Sequence, residues 1–180
     1  EFRTHPLGIR VRRRAAWLLI NVFLNLASAS VIAFNQDILE KVVALAIFLP
    51  IISDMSGSAG QQAVAVSIRE LSLGLVKDSE LLRVVWKETA AAIINGVIFA
   101  VILGLVAWGW EGNLSFGIVV GGALGINLLV GATVGGILPL IAKRCGFDPA
   151  LVSGLLLTTI TDVVGFFMAL FFAAQMLESI

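Results

Sequence analysis

Two carboxylates lie inside apolar stretches of this chain. Asp162 is in the middle of DPALVSGLLLTTITDVVGFF, residues 148–167, and Asp54 is in PIISDMSGSAGQQ, residues 50–62. Their neighbours carry oxygen and amide groups. Thr158, Thr159 and Thr161 accompany the first acid, and Ser56, Ser58, Gln61 and Gln62 the second; Asn95 and Asn127 lie in other apolar runs. Carboxylates among neutral oxygens, with no soft ligand, suit a hard cation. Mg2+ holds most of its water and is usually bound through one or two carboxylates. Hydroxyls, amides and backbone carbonyls can bond to the outer waters. The residues read as metal ligands are therefore Asp162 and Asp54. Those read as lining a path are Thr158, Thr159, Gly154, Ser58, Gln61, Gln62 and Asn127. Two plainer readings stay open. Asp162 can be a hydrogen-bonded acid that serves helix packing, and Asp54 can cap backbone groups at a Gly/Ser-rich bend.

The elements that position these acids must cross a bilayer. The chain has 180 residues, 59% of them hydrophobic and 13% charged, with a mean hydropathy of +1.02. Soluble domains are about 45–50% apolar and about 25% charged. An acid at the centre of a span costs about 2.5–3.5 kcal/mol on insertion scales. Each Leu, Ile, Val or Phe nearby returns about 0.3–0.6 kcal/mol, so residues 149–176 still insert. Asp162 is then roughly 20 Å from each end of that span, at about 1.5 Å per residue.

The predicted fold is an all-α integral membrane protein with five transmembrane helices per subunit. The spans cover about residues 16–34, 41–66, 89–110, 115–142 and 149–176. A basic arm, residues 1–15, precedes them with Arg3, Arg10, Arg12, Arg13 and Arg14, and touches anionic lipid. Residues 16–178 form the pore-type membrane domain. Asn21, Asn25, Ser28 and Ser30 give the first span one polar stripe that faces other helices. Asn35 to Glu40 reads as a polar turn. Pro50 and the glycines after it permit a kink. Residues 67–88 read as a charged, helical connector carrying Lys77, Asp78, Glu80 and Glu88. Gly117, Gly121 and Gly125, then Gly131 and Gly135, recur every fourth residue. Such rows serve tight packing within one subunit or a dimer face.

Loop charge sets the orientation. Segments 1–15, 67–88 and 143–148 hold eleven of the twelve Lys and Arg residues, and only Lys41 falls on the other side. The N-terminus is therefore placed in the cytoplasm and the C-terminus outside.

Several function classes drop out. Net charge is zero, so no basic field points to nucleic acid. The single cysteine, Cys145, and the single histidine, His5, build no zinc site or His-based triad. No Walker-type loop or GxGxxG marks a nucleotide site. No enzyme chemistry is expected.

Three stretches resemble the membrane domain of the MgtE family of magnesium channels and transporters. They are Pro50 to Gln62, where the family shows a G-N-x-G-[NTS]-Q core; Leu138-Pro139 with Lys143-Arg144, Gly146 and Asp148-Pro149; and Thr158-Thr159-x-Thr161-Asp162-x-x-Gly165-Phe166. The likeness covers residues 10 to about 178 and departs at Ser58, Gln61 and Asp54. The resemblance implies a homodimer in the plasma membrane with a central pore, in which Asp162 binds hydrated Mg2+. Mn2+, Co2+ or Ca2+ are further ions it allows. No cytosolic N or CBS regulatory domain precedes the first span in this sequence. That implies either a piece cut from a longer protein or a short relative regulated differently, with a separate regulatory domain or chain as one partner the resemblance allows. The short form and Asp54 also resemble the animal solute-carrier branch, which implies Na+- or H+-coupled exchange as the alternative. A non-conducting membrane scaffold is a third reading.

Overall fold

The structure, a computed structural model, describes residues 6–75 and 81–176, without the side chains of residues 13, 81, 82 and 84. Arg3 and His5 of the basic arm, and Lys77, Asp78 and Glu80 of the connector, lie outside the described residues. So does the end of the pore domain beyond residue 176.

Among the described residues there are α-helices and no strand. The order is α1 (Leu7–Ala33), α2 (Gln36–Lys41), α3 (Leu45–Ser72), α4 (Leu81–Glu111), α5 (Leu114–Arg144) and α6 (Pro149–Gln175). Local sequence starts the last two sharply. Asn113 caps α5 by accepting from the backbone N–H of Ser115 at 2.8 Å. Asp148 caps α6 by accepting from Ala150 N–H at 2.9 Å, and Pro149 occupies the first turn, where its missing N–H costs nothing. Gly112 and Gly146 close the preceding turns at φ +72° and +77°, a region that side chains rarely adopt.

Several boundaries differ from those expected. α1 begins at Leu7, so the described part of the basic arm continues into the first span as helix. The expected turn at Asn35–Glu40 is instead the short helix α2, entered from Asn35. The second element starts at Leu45 rather than residue 41 and runs on to Ser72, through Pro50. The connector contributes its two ends to α3 and α4. Once a helix is nucleated, each further residue adds a hydrogen bond, so charged residues extend it at little cost.

Among the described residues, four helices are long and apolar enough to cross a membrane: α1, α4 from Val85, α5 and α6. Much of their outer surface is apolar, as at Leu18, Phe23, Val97 and Val101, which are exposed. α3 has 28 residues, comparable in length, but Ser, Asp, Gly and Gln residues interrupt its middle.

Glycines set how closely the helices approach. The recurring row divides in two. Gly117, Gly121 and Gly125 meet α4 at Ala100, Gly96 and Gly104, whereas Gly131 and Gly135 meet α3 at Ser56 and Gly60. A Cβ on Gly131 would come 2.5 Å from the Ser56 carbonyl oxygen. These glycines therefore serve contacts within the chain. At one end of the bundle, Phe48 meets Phe116 edge to face, with ring centroids 5.5 Å apart, amid Leu45, Ile52, Leu124 and Leu170.

Gly135→Ala would drive a methyl group into the Gly60 backbone. It should cost about 1–3 kcal/mol, as overpacking does. Gly109→Ala meets no atom within 4 Å and should leave stability unchanged or raise it slightly. Thermal unfolding of the two variants in detergent checks the contrast.

Candidate functional site

Helical spacing gathers the site. On α3, Ser53, Asp54, Gly57, Ser58 and Gln61 fall on one side, about one turn apart. On α6, Thr158, Thr161, Asp162 and Phe166 do the same. These residues, with Pro50, line one cleft of about 320 Å³ between α3 and α6. The structure thus brings the two carboxylates, about a hundred residues apart in sequence, to one cavity.

Asp162 is half-buried, and Asp54 is exposed. The Ser53 hydroxyl donates to Asp162 Oδ1. That bond engages one carboxylate oxygen and fixes where the carboxylate points. The threonine hydroxyls are committed as donors. Thr158 Oγ1 donates to the Gly154 carbonyl at 3.0 Å. Thr161 Oγ1 lies 3.1 Å from the Leu157 carbonyl and 3.0 Å from that of Thr158. Thr161 is fully buried, whereas Thr158 is half-buried at the cleft and keeps its oxygen lone pairs available. The wall at Thr158 therefore accepts hydrogen bonds, which suits the donating waters of a hydrated cation.

Behind the cleft, α5 holds the two walls together. Asn127 is fully buried. Its Nδ2 donates to the Ile52 carbonyl of α3 at 3.2 Å and to the Thr161 carbonyl of α6 at 3.0 Å. Its Oδ1 is buried with no partner among the described residues. Gly165 makes room for this amide, since a Cβ there would come 2.5 Å from Asn127 Nδ2.

The residues expected from sequence are distributed unevenly. Asp162, Asp54, Thr158, Ser58 and Gln61 share the cleft. Gly154 lines an adjoining cleft of about 550 Å³, bounded by α1, α3 and α6. Thr159 donates to the Leu155 carbonyl at 3.1 Å and lines neither cleft. Gln62 is exposed and also lines neither. Asn127 stands behind the wall. Ser53 was not among the expected residues. Its signal was its position one helical turn before Gly57 and beside Asp54. Among the described residues, no group of three or more His, Cys, Asp or Glu side chains gathers to hold a metal ion.

The MgtE family model, described as a divalent cation transporter, matches residues 49–172. The chain belongs to the MgtE family. It is 38% identical over 152 residues to a protein of Bacillus subtilis named magnesium transporter MgtE, covering 84% of this chain and 34% of that one. A protein of the same name from Enterococcus faecalis is 31% identical over 91% of this chain and 36% of its own length. The Thermus thermophilus protein so named is 32% identical over 93% and 37%. The chain thus spans about a third of the length of these curated relatives. It is a multi-pass protein of the cell membrane and, as a member of a transporter family, not an enzyme. The MgtE match takes in both walls of the acidic cleft and Asn127, and leaves out α1 and α2.

Asn127→Ala removes both cross-helix bonds and should lower stability by about 1–3 kcal/mol, the range for unmaking buried hydrogen bonds. A lowered unfolding temperature in detergent is the measurement.

Proposed function

We propose that this chain carries hydrated divalent cations, chiefly Mg2+, across the cell membrane. Asp162 is the central ligand and Asp54 a second acidic station in the same cleft. The observation that carries this reading is the carboxylate of Asp162, held by Ser53 in a cavity walled by acceptor oxygens. The names of the curated relatives point the same way.

Size and ligand number support a hydrated ion. Six waters, the shell of an octahedral ion, need about 180 Å³ at about 30 Å³ each. The cleft of about 320 Å³ admits them. With only two carboxylates nearby, the ion is held through its water shell rather than stripped.

The same reading makes α3 a fifth span. Its polar middle would face an aqueous path, and the segment needs lipid contact only on its remaining surface. Asp54, Ser58, Gln61 and Gln62 are exposed on the single chain. In a membrane they require water or protein cover, which a homodimer with its path between the two copies supplies. Lys and Arg bias places the end where α1 and α6 begin on the cytoplasmic side. Separate regulatory parts, where present, would meet the protein there.

A second reading is exchange coupled to Na+ or H+. It is favoured by one specific observation, the presence of two acids in one cavity of one chain.

The purified protein in liposomes should pass Mg2+. Asp162→Asn should reduce that flux at least about tenfold, or about 1.4 kcal/mol. Ser53→Ala should reduce it by less, in keeping with about 0.5–1.5 kcal/mol for one hydrogen bond. Wild-type flux in Asp162→Asn would end the ligand role. Dependence on a Na+ or pH gradient would select the exchanger, and liposomes that pass no divalent cation would leave a scaffold.

A further inference from the structure

We propose that Asn21 and Asn25 of α1, with Gln61 and Thr158, form a second and uncharged station for a hydrated divalent cation beside the acidic cleft. The inference rests on the transport reading above and adds a helix that the family model does not cover.

The two asparagines are one turn apart on a helix whose exposed neighbours include Val22, Phe23 and Leu26. Asn25 Nδ2 donates to Asn21 Oδ1 at 3.3 Å. That bond orients the pair and leaves the Asn25 carbonyl oxygen as a free-standing acceptor type. Amides on an apolar helix need polar surroundings inside a bilayer. Here they border the cleft of about 550 Å³ that also touches α3 and α6.

Gln61 and Thr158 line both clefts. A hydrated ion leaving one passes these two side chains to reach the other. The second cleft admits the six-water shell of about 180 Å³ with room to spare. No carboxylate lines it. Its hold on a cation therefore comes from bonds to the outer waters, which is weak. A path conducts when its sites bind firmly enough to fill and loosely enough to empty. A neutral amide station next to an acidic one meets that need, because the ion can be handed on in short steps.

Two readouts test this. In liposomes, Asn21→Leu with Asn25→Leu should raise the Mg2+ concentration for half-maximal flux about fivefold, the scale of one or two lost water-mediated bonds. The second needs no flux. Asn25→Cys is made with Cys145→Ser, because Cys145 is exposed. A charged, water-soluble thiosulfonate should modify it, and Mg2+ should slow that modification. Leu26→Cys, on the exposed apolar face, should resist the reagent. Protection should persist when Asp162→Asn is added. Modification that ignores Mg2+ overturns the station, as does protection that vanishes with Asp162→Asn, which places the ion at the carboxylate alone. The transport reading is judged separately, by wild-type and Asp162→Asn flux. If wild-type protein carries no Mg2+, persisting protection still supports a binding station and its absence overturns it.

Discussion

A carboxylate within an apolar bundle must find polar company, and the Ser53–Asp162 bond supplies it. An isolated charge in low dielectric is among the most expensive groups a protein can hold. Ser53 meets one oxygen of Asp162 and leaves the side chain in a cavity rather than in a dry contact. That single bond crosses from α3 to α6. It therefore both orients a charge and joins two helices whose separation defines the cleft.

The rest of the bundle maintains that separation. Asn127 reaches from α5 to a carbonyl on each wall. It sets the distance between α3 and α6 from behind, as a strut does, while the cleft stays open in front. Glycines make this geometry possible. Gly131 and Gly135 let α5 lie directly on α3, and Gly165 lets the Asn127 amide reach α6. Replacing such hydrogens by methyl groups would push α5 outward and unmake the amide's two bonds. The close-packed face of α5 and the polar face of α3 are thus parts of one arrangement.

How much of this was legible in the sequence depended on range. Apolar composition and spacing anticipate a helical membrane protein. Helical periodicity puts Asp54, Ser58 and Gln61 on one face of α3 and Thr158 with Asp162 on one face of α6, the faces that border the cleft. Ser53 and the task of Asn127 were not legible in the same way. Each acts through partners on other helices, and no local pattern states which helices will meet. Asn127 read as a lining residue because a buried amide and a pore amide look alike in one dimension. Helix ends were misplaced for a different reason. The charged residues of the basic arm look like a solvated arm, yet they prolong a helix nucleated by the apolar run that follows. The described ends of the connector are helical, as its sequence suggests.

Under the proposed reading, in which α3 spans the membrane, α3 shows why hydropathy alone undervalues a helix beside an aqueous path. Its Ser, Asp, Gly and Gln residues keep it out of the group of helices apolar enough to span a membrane. Ser53, Asp54, Gly57, Ser58 and Gln61 among them line the acidic cleft, and Ser56 and Gly60 accept the close approach of α5. A helix that borders an aqueous path does not need an apolar surface all round. It needs one only where lipid touches it, so its average hydropathy falls as its share of the path rises. On the proposed reading, a long helix whose middle is interrupted by polar residues is the natural place to look for a path, and the position of Asp54 on α3 follows that logic. The same reasoning applies to α1, whose two asparagines interrupt the apolar surface formed by Leu18, Val22, Phe23 and Leu26 at the point where it borders the second cleft.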